Sequence, residues 1–130
     1  EELAVEALIK KGYQIVKTNF SNRFGEIDII AKDHDILVFV EVKAKKGEDF
    51  GTPEEMISRG KLQKVKNMAT VYMEGESVPC RIDVIAIVLS EENKLVRLTH
   101  YENVYYMWNF TLKNSLMSLN TLSNCLVFQR

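Results

Sequence analysis

Asp28, Glu41 and Lys43 are the residues whose types and spacing could do chemistry in this 130-residue chain. They lie between Gly25 and Lys45, a stretch with period-two alternation, rich in Ile, Val and Phe and broken once at Asp33-His34-Asp35. That is the pattern of a β-hairpin. A symmetrical hairpin centred between His34 and Asp35 sets Asp28 across from Glu41 and Glu26 across from Lys43, all on one face. Ile27, Ile29 and Ala31 against Val42, Val40 and Val38 make the apolar face. Ile30 and Phe39 share the charged face, so the charge gathers at the end of the hairpin away from its turn. Two opposed carboxylates repel, more strongly when half-buried, and need a cation. Lys43 can supply it as a plain salt bridge. A divalent metal is the other answer: oxygen ligands from Asp28 and Glu41, completed by a backbone carbonyl and waters, suit Mg²⁺ or Mn²⁺ better than zinc. Lys43 is then free to stabilise charge or orient water.

The elements that must position these groups are legible in the same way. Leu3, Ala4, Ala7, Leu8 and Ile9 recur at helical spacing before Lys10-Lys11-Gly12, which predicts a helix over 1–11. Tyr13 to Asn19 reads as a short edge strand. Thr52-Pro53-Glu54-Glu55 supplies an N-cap, a first-turn proline and a capping-box glutamate, so a second helix is expected from here, crossed by Gly60 and ending at Gly75. Its stripe is Leu62, Val65, Met68, Ala69, Tyr72 and Met73. Ile82 to Leu89 is nearly all apolar, as in a strand buried on both faces, and Leu95 to Thr99 follows as its neighbour. The order α, β, β, β, α, β, β predicts an α/β fold with a mixed central β-sheet flanked by helices.

Composition bounds the rest. Hydrophobic residues at 46% and charged residues at 27% fit one ordinary globular domain and argue against disorder. Seventeen basic against eighteen acidic residues mean that a polyanion must be met by a local patch. Cys80 and Cys125 lack metal-ligand spacing and read as reduced thiols. No apolar run reaches membrane-spanning length, and Glu1-Glu2-Leu3-Ala4 does not resemble a secretory signal, so a cytoplasmic protein without membrane contact is expected. The absence of an initiator methionine suggests a trimmed chain or part of a longer one. Residues 109–130 stand apart from 1–108, with five leucines and four asparagines but only Lys113 and Arg130 charged. Leu112, Leu116, Leu119, Leu122 and Leu126 recur at helical spacing, so this stretch reads either as an amphipathic helix docking on the domain or a partner chain, or as a poorly specified extension.

Asp28 followed by Glu41-Val42-Lys43 resembles the D…ExK core of the PD-(D/E)XK nuclease superfamily, which includes restriction endonucleases and Holliday-junction resolvases. A wider string is similar to the YraN-like family of bacterial proteins over roughly residues 1–105. It comprises Gly25-Glu26-Ile27-Asp28-Ile29-Ile30-Ala31, Phe39-Val40-Glu41-Val42-Lys43, Phe50-Gly51, Lys61, Ala69 and Arg81-Ile82-Asp83-Val84. The resemblance implies a restriction-endonuclease-like core in which Asp28 and Glu41 bind the metal with the Val42 carbonyl, and Lys43 orients water or stabilises the pentavalent phosphorus. It also implies a site glutamate on the first helix, Glu1 as the best match and Glu2 as the alternative, and an auxiliary polar residue, Lys61, near the scissile phosphate. Two departures stand out: no glycine precedes Glu1, and the chain runs on through 109–130.

Arg23, Lys45, Lys46, Arg59, Lys64 and Lys66 are candidates for backbone phosphate contacts, each weighed against an ordinary solvated side chain. Asp83 reads as structural, held by Arg81 or capping the strand entrance, and His34 and His100 as exposed turn residues. The leading expectation is a Mg²⁺- or Mn²⁺-dependent endonuclease acting on DNA more readily than RNA, with branched or damaged structures among its substrates. A nucleic-acid-binding module without turnover is the second. A protein-interaction domain that forms a homodimer through its leucine-rich tail is the third.

Overall fold

A computed structural model describes residues 1–74 and 78–104 and the backbone of 125–127. The elements are α1 (Glu2–Lys10), β1 (Gln14–Asn22), β2 (Gly25–Asp33), β3 (Ile36–Lys46), a single 3₁₀ turn (Glu54–Met56), α2 (Arg59–Met73), β4 (Val78–Leu89), β5 (Leu95–Tyr101) and β6 (Cys125–Val127). Their order agrees with the sequence pattern. The sheet runs β1-β2-β3-β4-β5, with β6 against the start of β4. Among the described residues only β3 with β4 and β4 with β6 are parallel. The first of these parallel pairs follows from the α2 crossover, since parallel neighbours need a long connection.

Two apolar layers sandwich this mixed sheet. On one face α2 packs Leu62, Val65, Met68, Ala69 and Met73 against Ile30, Phe39, Ile82 and Val84. On the other, α1 packs Ala4 and Leu8 against Ile29, Ala31, Val38, Val40, Ile85 and Ile87. Strand β4 therefore serves both layers, as its unbroken apolar run requires. Helix α1 stops where Gly12 takes a positive φ of 88°, a backbone state that costs glycine little.

Several expectations are corrected. The helix expected from Thr52 is one 3₁₀ turn, although the Glu55 carboxylate does accept the Thr52 N–H at 2.9 Å. Ile57 and Ser58 are extended. The long helix starts only at Arg59, where the Ser58 hydroxyl accepts the Lys61 N–H at 3.2 Å, so Gly60 lies in its first turn and interrupts nothing. Strands β1, β4 and β5 each extend beyond the segments read from their apolar residues. Ile27 belongs to the α2 layer rather than joining Ile29 and Ala31, so the alternation changes phase between Ile27 and Ile29. Cys80 is disulfide-bonded rather than a reduced thiol. Of the stretch 109–130, most lies outside the described residues, as does the Cys125 side chain; the Cys125–Val127 backbone is strand, not helix.

Candidate active site

The site is built where two strands part. β2 and β3 pair in the expected register from Asp33 with Ile36 to Ile29 with Val40, and their ladder stops there. The expected next pairs, Asp28 with Glu41 and Glu26 with Lys43, do not form. Instead the Asp28 carboxylate takes over the role of the missing strand neighbour: its Oδ2 accepts the Val42 N–H at 2.8 Å. β3 meanwhile stays paired with β4 as far as Lys46, which keeps Glu41 on a central strand beside Val84.

Glu41 is only 2% exposed. Its Oε1 pairs with the Lys61 ammonium at 3.3 Å. Its Oε2 is buried and has no hydrogen-bond partner among the described residues. Burial first, and the negative charge of Asp28 second, push the Glu41 carboxyl up to about 7, against the opposing pull of Lys61. The cation that Glu41 finds inside the chain is thus Lys61, not Lys43. Lys61 sits in the first turn of α2, which has no acidic residue to offset the positive helix end, a disfavoured place for an amine unless a carboxylate holds it. Lys43 is half-buried two residues beyond Glu41, and its ammonium makes no ion pair or hydrogen bond among the described residues.

Glu1 arrives from the other face of the sheet. Its carbonyl opens α1 by accepting the Val5 N–H at 2.9 Å, while its carboxylate makes no capping bond. Carboxylate oxygens of Glu1, Glu26 and Asp28 lie within 4.8 Å of one another. Glu2 is exposed and outside this group. Glu26 had no assigned role in the sequence reading. The available signal was its position two residues before Asp28, the spacing that puts neighbours on one face of a strand. Three converging carboxylates beside a buried fourth with an unpartnered oxygen form an all-oxygen donor set, which fits a divalent cation such as Mg²⁺ or Mn²⁺.

The surface cations divide. Arg23 lies over the Phe24 ring at 4.7 Å. Lys45 donates to the carbonyls of Phe50 and Gly51 at 2.7 and 3.0 Å, so it fastens a loop. Lys46, Arg59 and Lys64 are exposed. Lys66 is only 4% exposed on the core side of α2, which removes it from the phosphate candidates.

Away from the site, Asp83 is structural, as expected. It receives Arg81 Nε at 3.0 Å and the Asn103 N–H at 3.0 Å. Arg81 also reaches Asp33 at 2.9 Å and the Tyr13 hydroxyl. His34 is an exposed turn residue, but His100 is not. Its side chain is 3% exposed within β5, with Nε2 on Asp83 Oδ2 at 2.7 Å and Nδ1 accepting from Lys11 at 2.9 Å.

A family model described as "Uncharacterised protein family UPF0102" matches residues 1–87. A UPF0102 protein of Pelotomaculum thermopropionicum is 39% identical over 108 residues, covering 81% of this chain and 90% of its own length. One of Thermodesulfovibrio yellowstonii is 43% identical over 108 residues, with 82% and 91% covered. A third, of Flavobacterium psychrophilum, is 37% identical over 106 residues, with 82% and 89% covered. Among the described residues no helix is long and apolar enough to cross a membrane.

Proposed function

Because the chain belongs to the uncharacterised protein family UPF0102, the YraN family of the sequence resemblance, we propose that it is a metal-dependent endonuclease hydrolysing phosphodiester bonds in DNA. The observation that carries this reading is the buried Glu41, with one oxygen unpartnered, held against Asp28 where β2 and β3 separate. Lys61 answers only Oε1, so the buried Oε2 is left with capacity for a second cation.

Asp28 and Glu41, with the Val42 carbonyl and Glu1, would hold Mg²⁺ or Mn²⁺, which when bound neutralises phosphate charge and acidifies a water. Everything else is work for the chain's own side chains. Asp28 holds the Val42 amide through one oxygen, which locks its carboxylate in place. Lys61 neutralises Glu41 through Oε1 and leaves Oε2 open. The ammonium of Lys43, two residues beyond Glu41 on the same strand, would orient the attacking water or stabilise charge growing on the phosphoryl oxygens. A module that only binds nucleic acid has no use for a buried carboxylate held beside a half-buried one.

The direct test incubates the protein with plasmid, single-stranded and four-way-junction DNA in Mg²⁺ or Mn²⁺, beside Asp28→Ala and Glu41→Ala. Cleavage by the parent that falls roughly 100-fold or more in both variants supports the reading. Equal cleavage by parent and variants marks a contaminant and sinks it.

A further inference from the structure

We infer that the substrate carries unpaired bases at the site, and that Phe50 and Phe24 are the platforms on which those bases stack. This rests on the nuclease reading and names its substrate class. The two aromatics are the exposed rings of the two segments that run directly into the carboxylates.

Phe50 is 94% exposed. A lone exposed apolar side chain is unremarkable when its loop is free to move. This loop is fastened. Lys45 donates to the carbonyls of Phe50 and Gly51. Arg97 of β5 grips Glu48 at 2.7 Å and Glu54 at 3.1 Å, on either side of Phe50. Glu55 closes the following turn by accepting the Thr52 N–H, and Gly51 turns the chain at a φ of 103°. Five residues around a single ring are tied to one another or to the sheet, while the ring itself meets solvent.

Phe24 shows the same design on the other strand. It occupies the turn between β1 and β2, 46% exposed. Its N–H is held by Asn22 Oδ1 at 2.8 Å, and the Arg23 guanidinium lies 4.7 Å from the ring centre. A flat cation beside an aromatic face matches a base and its phosphate.

Position links the two rings to the site. β2 and β3 are antiparallel and open away from their shared turn, so the start of β2 and the end of β3 lie at the same end of the sheet. Phe24 precedes Asp28 by four residues, and Lys45, which holds the Phe50 carbonyl, follows Glu41 by four. Each segment thus reaches roughly 13 Å from its carboxylate at the rise of a strand. From Phe50 the chain continues into the first turn of α2, where Arg59 and Lys64 are exposed and Lys61 meets Glu41. Arg23 beside the Phe24 ring complements a phosphate backbone, and of the acids flanking Phe50, Glu48 and Glu54 are held by Arg97. In a continuous duplex the base faces are stacked on each other and offer these rings nothing, so only unpaired bases use them.

The test measures binding by fluorescence anisotropy with Ca²⁺ in place of Mg²⁺, using a labelled thymidine oligonucleotide, a forked duplex and a blunt duplex. Phe50→Ala and Phe24→Ala should each weaken the single-stranded and forked probes roughly tenfold and leave the blunt duplex within about twofold. Phe50→Trp should retain affinity, and its indole fluorescence should be quenched by the thymidine oligonucleotide. Unchanged affinity in both alanine variants, or an equal loss for all three probes, overturns the inference while leaving the nuclease reading intact. A parent that binds none of the probes overturns both. Light scattering separates the remaining occupant: a mass that falls on Phe50→Ala shows that a second copy of the chain covers this ring, and the inference is wrong.

Discussion

Lys61, twenty residues beyond Glu41 in the first turn of α2, pairs with Glu41 at 3.3 Å, whereas Lys43 on Glu41's own strand pairs with no carboxylate among the described residues. On the nuclease reading, the two amines divide the tasks of holding the acid and meeting the substrate. Lys61→Ala should cost about 1 to 2 kcal/mol of stability at pH 8, since the amine is partly exposed but its loss strands a buried carboxylate. Lys43→Ala should stay within about 0.5 kcal/mol of the parent and lose cleavage. Urea melts and plasmid cleavage on both variants check this; matching stability losses would contradict the division.

Glu41 also makes stability depend on pH in the metal-free protein. Its carboxyl stands at about 7 when folded, against an ordinary value of 4.5. The folded state therefore holds a proton that the unfolded chain has released between these two values, and stability falls as pH rises through that window. Below about 4.5 the contribution is fully present. Above about 7 it is gone, a difference of about 3 kcal/mol. In EDTA, the parent should lose that much more stability than Glu41→Gln between pH 4.5 and pH 8. Saturating Mn²⁺ should remove the difference, because cation binding favours the ionised acid. Parallel pH profiles for parent and Glu41→Gln would show that Glu41 is not the group responsible.

The Arg81 network is a structural requirement rather than part of the chemistry. Arg81→Ala leaves the buried Asp33 and Asp83 without their shared cation and should cost about 3 to 5 kcal/mol. His100→Ala removes the imidazole from Asp83 and from the exposed Lys11 amine but leaves Arg81 on Asp83, and should cost less, about 1 to 3 kcal/mol. Denaturant melts rank the two. Any residual folded fraction should still bind Mn²⁺, because none of these residues touches the carboxylate group around Asp28.

Gly25 begins the strand that carries Glu26 and Asp28, at a φ of 146°. An added Cβ would lie 3.3 Å from the Met68 sulfur, so Gly25→Ala combines backbone strain with a push on α2. A loss of about 1 to 3 kcal/mol is expected. Pairing it with Met68→Ala should recover part of the steric share and none of the backbone share, and a double-mutant cycle reads the division.

The alternation of Ile, Val and Phe around Asp33-His34-Asp35 was enough to specify the hairpin, its register as far as Ile29 and Val40, and the nearness of Asp28 to Glu41, because a strand's period of two and a tight turn are local properties. The helix-one pattern and the apolar run of β4 located the two layers for the same reason. Which groups would meet across elements was not written in any local period. Lys61 rather than Lys43 reaches Glu41 because Ser58, not Thr52, caps α2 and so sets where its first turn lands. Glu1 joins Glu26 and Asp28 because α1 begins beside β2, and the His100 side chain is buried because β5 folds it onto Asp83. Even the opening of the ladder at Ile29 and Val40 is a contest between a strand pairing and a side chain, won by Asp28 at the Val42 amide. Spacing along a chain determines which way a side chain faces; its partner depends on how helices and strands from distant parts of the sequence are packed together.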